Sequence, residues 1–217
     1  MYQPYLEEIT RFAAEGDLAP ELQRAKIEFT RRTGDMFETD PSFERRIAAF
    51  LEWYVLDRKI SFRPELTPAE LYVLQKGAAL AEQDRNRYAG LTQTVLSLFE
   101  FKRAKAEHLT VRDLLTGEKI EVFERRKLAG LESGDLLEAR LVPFDGLLLF
   151  ADAYYCHPRD ARKEILAATK RHRKSGTDGA AARIDMVHRV AYFANRSERY
   201  KHLDPRQVFK ELNVRAA

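Results

Sequence analysis

The chain has 217 residues, of which 45% are hydrophobic, and its 37 Lys and Arg against 34 Asp and Glu give a net charge of +3. This apolar share is enough for an ordinary core and excludes wholesale disorder, while no apolar run approaches the roughly 20 residues of a membrane span. The first residues lack the basic and then apolar regions of a signal peptide, so we expect a cytoplasmic protein without a membrane partner.

A helical region is predicted for residues 1–92. Residues 17–34 have apolar positions at helical spacing, and Asp40 followed by a proline is typical of an N-cap that opens a helix over 43–58. Thr67 and Glu70 form a capping-box pattern at the start of a further helix that runs to about residue 88. Gly77 lies inside that helix and is the place where it could be interrupted.

An antiparallel sheet is predicted for residues 93–157, because the hydrophobic period there is two. Apolar and polar residues alternate on both sides of a short reversal at Thr116 and Gly117. Asp113 and Thr116 fit turn chemistry better than a pair of catalytic carboxylates formed by Asp113 and Glu118. The expected strands, which could curl into a small barrel, cover 95–101, 109–111, 120–122, 136–142 and 147–153.

A basic helical region is predicted for residues 158–217. Helices are expected from Asp160 to Arg171, over 180–199 and after Asp204, with an exposed link over 170–179. From Arg159 onward there are 15 Lys and Arg against 7 Asp and Glu, whereas the first 158 residues hold 22 against 27. Helices, sheet and helices in this order indicate an α+β fold.

Five segments resemble a group of uncharacterised bacterial proteins, many of which carry a C-terminal SEC-C zinc motif. They are FLEWYVLDR (50–58), LTPAELYV (66–73), SLFEF (97–101), RDLLTGEKIEVFER (112–125) and GDLLEARLVP (134–143). The resemblance covers roughly residues 40–155 and implies no catalytic residue. The cysteine cluster of the SEC-C motif is absent here, so no zinc-dependent role is expected.

The single cysteine, Cys156, excludes an internal disulfide and any zinc site that needs two thiolates. With His157 it could suggest a metal ligand or a nucleophile, but a small apolar residue at the end of a strand is the better interpretation. We therefore predict no catalytic residue, no metal and no cofactor.

Three functions remain open, and a non-enzymatic adaptor that binds a partner protein is the first. The helix over 180–199 would dock in a groove of the partner. Alternatively, its apolar face packs on the chain's own barrel. The candidate partner-binding residues are Met186, Val190, Tyr192 and Phe193.

Nucleic-acid binding is the second possibility, since clustered cations could neutralise phosphates and small barrels often carry single strands. The region from His108 to Asp152 has six Lys and Arg against nine Asp and Glu, so we expect the contacts on the tail. Alternatively, the cationic cluster is a solvated helix C-terminus, where positive side chains interact favourably with the helix dipole. The candidate residues are Arg159, Arg162, Lys163, Lys170, Arg171, Arg173 and Lys174.

A metal-dependent nuclease is the most distant possibility. Glu100 and Lys102 are predicted to share one face of a strand, as the carboxylate and lysine of such sites do. The upstream acid that the site also needs would be Asp84, which falls in a predicted helix.

Overall fold

The computed structural model describes residues 1–126, 130–177 and 179–214. Helices, a sheet and further helices follow one another in this order, which confirms the predicted α+β class. The helices are α1 (Gln3–Ala13), α2 (Ala19–Thr33), α3 (Phe43–Leu56), α4 (Pro68–Lys76), α5 (Glu82–Leu91), α6 (Arg162–Lys174), α7 (Ala180–Arg199) and α8 (Pro205–Lys210). The strands are β1 (Val95–Lys105), β2 (His108–Asp113), β3 (Lys119–Phe123), β4 (Leu136–Phe144), β5 (Leu147–Phe150) and β6 (Tyr155–Cys156).

Five of the strands close into a barrel. The neighbours follow the order β1, β2, β3, β5 and β4, and β4 also pairs with β1. All of these pairings are antiparallel except the one between β3 and β5. The register of β1 shifts between Phe101 and Arg103, and such a bulge bends a strand, as closure requires.

Alternation along the strands separates the inside of the barrel from its outside. Phe99, Val111, Val122 and Leu137 point inward and are fully buried in one cluster. The polar residues between them therefore lie on the outer face. This is the period-two pattern on which the sheet prediction rested.

Two helical layers cover the outer face of β4 and the first half of β1. Leu136 packs against the cluster formed with α6, α7 and α8, while Val142 belongs to the cluster of the N-terminal helices. Helix α7 contacts both α2 and β1, so it joins the layers. On the outer face of β2, β3 and the end of β1, Arg103, Arg112 and Lys119 are exposed, whereas Thr110 is buried and Phe123 packs in part against the cluster of the N-terminal helices.

The capping box forms as predicted. The Thr67 hydroxyl accepts from the Glu70 amide at 3.2 Å, and the Glu70 carboxylate accepts from the Thr67 amide at 2.6 Å. The helix that it opens ends at Lys76, and α5 begins only at Glu82, so the single helix predicted up to residue 88 is wrong. The chain turns at Gly77, where an isolated glycine weakens a helix.

Two other boundaries differ from the prediction. Asp40 is not an N-cap: Ser42 precedes α3, and the Asp40 carboxylate accepts from the Phe37 amide and pairs with Arg199. The expected link over 170–179 is helical up to Lys174, because four cationic or imidazole side chains near a helix C-terminus suit its dipole.

Gly90 should be far more sensitive to alanine than Gly77. A Cβ on Gly90 would lie 2.7 Å from the Pro143 carbonyl oxygen of β4, whereas a Cβ on Gly77 would meet Val73 at an ordinary 3.7 Å. We expect Gly90→Ala to lower the free energy of unfolding by roughly 1–3 kcal/mol through overpacking. Gly77→Ala should be neutral or raise it by up to about 1 kcal/mol. Urea denaturation of both variants measures this, and equal effects would contradict the close approach of α5 to β4.

Candidate nucleic-acid interface

The turn between β2 and β3 is built by Asp113. Its Oδ1 accepts from the Leu115 and Thr116 amides at 2.7 and 3.1 Å, and its Oδ2 accepts from Arg183 at 2.8 Å. Gly117 completes the reversal with φ of +89°, a conformation that favours glycine. Asp113 and Thr116 thus serve turn chemistry, as their sequence context predicted.

Arg112 and Lys119 lie directly opposite each other where the two strands enter this turn. Both side chains are exposed, and neither forms an ion pair with any residue that the structure describes. Like charges opposite each other on adjacent strands are destabilising. On its other side Arg112 lies opposite Glu100 of β1, whose carboxylate is engaged by Lys102 and Arg162.

Arg173 of α6 brings a third cation to the same turn. A Cβ on Gly117 would lie 3.2 Å from Arg173 Nη1 and 3.9 Å from Arg112 Nη2. The two guanidinium groups therefore flank one point of the backbone. Like Arg112, Arg173 has no ion-pair partner within the described ranges.

The end of β1 extends this group of cations. Arg103 lies opposite Thr110, and Lys105 lies opposite His108, on the outer face of the barrel. Both cations are exposed, and Arg103 donates only a long hydrogen bond, 3.4 Å, to the Thr110 hydroxyl. We call Arg103, Lys105, Arg112, Lys119 and Arg173 the basic surface.

Two aromatic rings border the basic surface. His108 and Phe123 are cross-strand partners whose ring centres lie 5.5 Å apart in an edge-to-face arrangement. The His108 side chain is exposed and that of Phe123 is partly exposed. Glu121, between Lys119 and Phe123 on β3, adds one exposed carboxylate to this face.

Three of the seven candidate nucleic-acid residues are engaged in contacts within the protein. Arg159 pairs with Asp135 at 2.7 Å, and the guanidinium keeps the pKa of that carboxyl below its usual range. Arg162 pairs with Glu100 at 2.9 Å, and Arg171 donates to the Asn213 side chain. These contacts attach α6 and its preceding turn to the rest of the protein.

The other four candidates are exposed: Lys163, Lys170, Arg173 and Lys174. Only Arg173 is brought to the barrel. Arg112 and Lys119, the cations near it on the barrel, were not among the predicted nucleic-acid-binding residues, because the sequence analysis considered only the net charge of the sheet. A count of exposed cations on alternate positions of the strands would have indicated them.

The four candidate partner-binding residues do not form an exposed face. Met186, Val190 and Phe193 are buried in the core that α7 shares with α6 and α8. Tyr192 alone is exposed, at 39%. The alternative interpretation of this helix, that its apolar face packs within the chain itself, is the one that the structure supports.

The Cys156 and His157 side chains are not arranged as a catalytic pair. Burial raises the pKa of the Cys156 thiol, which disfavours the reactive thiolate. His157 is buried, its pKa is lowered to about 3 by burial, and its ring packs edge-on against Tyr155. The Cys156 side chain is exposed at the end of β6, so the expected role as a small packed apolar residue is not the one that the structure shows.

The Glu100 carboxylate is held by two cations, Lys102 at 2.7 Å and Arg162 at 2.9 Å. Asp84 lies in α5 and accepts from the Tyr5 hydroxyl. Among the described residues there is no group of three or more His, Cys, Asp or Glu that could hold a metal ion. The geometry gives the nuclease hypothesis no support.

A second polar cluster lies inside the protein, on the outer face of β4. Arg140 donates to Glu52 at 3.3 Å and to Asp57 at 3.1 Å. Burial raises the pKa of Glu52, although Arg140 opposes that shift. Burial also raises the pKa of Glu138 to about 7, and its Oε2 lies 3.9 Å from His157 Nε2. Sequence reasoning missed the cluster because alternation with apolar residues is typical of a solvated face.

The fold and the surface together define a class: an α+β protein with a closed five-stranded barrel between two sets of helices and a group of exposed cations on its strands. The chain belongs to DUF7986, a family of unknown function whose profile matches residues 2–202. That match takes in the N-terminal helices, the barrel, α6 and α7. No curated protein and no solved structure matches the chain significantly. The described helices include none that is long and apolar enough to cross a membrane.

Glu138→Gln should make the protein more tolerant of alkaline pH. The pKa of Glu138 is about 7 in the fold against an ordinary 4.5, so its stabilising effect is complete below about pH 4.5 and is lost as the pH rises through 7. When the pH rises from about 6 to about 8, ionisation of Glu138 alone lowers the free energy of unfolding of the parent protein by about 1 kcal/mol. The glutamine side chain does not ionise, so the variant does not lose this stability. Urea denaturation at both values measures it.

The exposed Glu121→Gln is the matched control and should leave the pH dependence as it is in the parent protein. Below about pH 6.5 the parent and Glu138→Gln should both lose stability, because His157 and His188 have pKa values lowered to about 3 by burial. If the free energy of unfolding falls equally between about pH 6 and about pH 8 in the parent and in Glu138→Gln, the raised pKa of Glu138 is contradicted.

Proposed function

We propose that the protein binds single-stranded nucleic acid through the basic surface. The observation that carries the proposal is that Arg112 and Arg173 meet at Gly117 and Lys119 lies directly across from Arg112, with no ion-pair partner for these three cations among the residues described. A phosphate group placed there would relieve the repulsion between these cations and release its own counterions. The unfavourable cross-strand pair would then serve binding.

The shape of the basic surface favours a strand of nucleic acid over an isolated anion. Arg103 and Lys105 continue it along β1, two residues apart on one face. Lys170 and Lys174 are exposed cations on the same helix as Arg173, three residues before it and one residue after it. A groove or strip of cations that follows a backbone is a common feature of proteins that bind single strands.

The His108 and Phe123 rings support a single strand over a duplex. Unpaired bases expose their faces, and aromatic side chains stack on them in any sequence. The two rings lie on the same outer face as Lys105, so a strand whose phosphates contact the cations could place its bases there. In a duplex the bases are stacked on each other and unavailable.

Other expectations from the sequence stay proposals. An adaptor role in a bacterial cytoplasm, with a partner protein, is compatible with the exposed Tyr192 but needs a surface other than the predicted one. The similarity to proteins with a SEC-C motif concerns residues 40–155 and also stays a prediction.

Removing the three convergent cations should weaken binding in proportion to the phosphates they contact. With a slope of about 0.7 per phosphate on single strands, each of Arg112→Ala, Lys119→Ala and Arg173→Ala should cost about four-fold in affinity at about 0.15 M salt. The triple variant should lose about fifty-fold, and its salt slope should fall by about 2. Fluorescence anisotropy with a labelled mixed-sequence oligonucleotide, titrated at several salt concentrations, measures both.

Lys26→Ala is the matched control, because it removes one exposed cation from α2, outside the basic surface. It should bind as the parent does, and a loss equal to that of Arg112→Ala would show that only net charge matters. His108→Ala together with Phe123→Ala should weaken binding by about ten-fold without changing the salt slope. Absence of binding at low salt refutes the function, and equal affinity for a duplex refutes the single-stranded form.

A further inference from the structure

A small cavity lies where the helical layers meet the barrel. Its volume is about 20 Å³, and its lining comes from α2, α3, β1, β4 and α7. Phe29, Ala49, Leu96 and Ala191 supply apolar walls. The polar lining includes Arg46, Glu138 and His188, each almost completely buried.

Polar atoms of these three side chains have no hydrogen-bond partner among the described residues. They are Arg46 Nε, Glu138 Oε2 and both ring nitrogens of His188. Buried polar atoms are otherwise nearly always paired with protein or ordered water. Three such groups around one cavity therefore indicate a shared occupant.

Packing prevents two of these side chains, Arg46 and His188, from turning toward protein partners. The Arg46 guanidinium is held by the carbonyls of Asp35, Thr33 and Gly34, the last at 2.6 Å. The His188 ring is fixed edge-on by Phe29 and Trp53, with ring centres 5.3 and 5.4 Å away. Their unpaired atoms are thus held in place by the fold.

We propose that this cavity is a binding site for one water molecule that bridges Arg46, Glu138 and His188. Its volume suffices for about one water, which needs two to four polar partners. The water accepts from Arg46 Nε, and it exchanges hydrogen bonds with the Glu138 carboxyl and the His188 ring, both of which can donate or accept.

The chemistry of the lining argues against an ion. Arg45, Arg46 and Arg140 repel a metal cation, and Glu52 and Glu138 disfavour an anion. A larger polar ligand does not fit the volume. The bound water joins α3, β4 and α7, one element from each of the three parts of the fold.

The experiment is a crystal structure of the full chain at a resolution that shows ordered solvent, together with water cross-relaxation measured at the His188 ring protons by NMR. One density peak within hydrogen-bond distance of all three groups, and a long-lived water at His188, are expected. Glu138→Gln, which still bonds water, should keep both signals, and Glu138→Leu should lose both.

Clear outcomes would overturn the proposal. They are an ordered cavity without density in the parent protein, no water signal at His188, and unchanged signals in Glu138→Leu. An anomalous peak in the cavity after a bromide soak would also overturn it, because the site would then take anions. The parent structure and Glu138→Gln suffice for the decision if Glu138→Leu does not fold.

Discussion

The buried Arg140 is the side chain on which the assembly of barrel and helices depends. It leaves β4, is only 2% exposed, and donates to Glu52 in α3, to Asp57 just after it and to Thr94 before β1. Burial by itself would lower the pKa of Arg140, but the carboxylates of Asp57 and Glu52 raise it, so the guanidinium stays charged. A buried charge with its partners intact fixes geometry, and one left alone costs about 3–5 kcal/mol. Arg140 therefore fixes which face of the barrel the helices cover.

That choice of face also decides where a ligand can reach the barrel. The helices occupy the outer side of β4 and the first half of β1, through Val142, Leu98 and Leu136. Strands β2 and β3 carry the exposed Arg112 and Lys119, and beyond the bulge of β1 the exposed Arg103 and Lys105 pair with Thr110 and His108 of β2. The buried polar cluster thus lies under the helices, whereas the basic surface consists of exposed cations on β1, β2 and β3 with Arg173 at the end of α6.

Local patterns predicted the elements, and folding created the candidate site. Period two and the Asp113 turn identified the strands, since both signals come from neighbouring residues. The region from His108 to Asp152 has more acids than bases in sequence, yet Arg112 and Lys119 are exposed on its outer face without an ion-pair partner among the described residues. The reason is pairing with residues outside the region: Asp113 is paired with Arg183, and Asp135 with Arg159. No composition count shows which charges are neutralised inside the protein, and none shows that α6 brings a cation to the turn.

Ion pairs between the C-terminal region and the barrel explain part of the charge asymmetry along the chain. The C-terminal region is basic and the preceding region acidic, and Arg159, Arg162 and Arg183 of the former pair with Asp135, Glu100 and Asp113 of the latter. Much of the asymmetry is therefore complementarity that docks the C-terminal helices on the barrel. The cations without such partners are the ones left for an external anion. Those on α6 and the adjoining strands lie near the exposed His108 ring and the partly buried Phe123 ring.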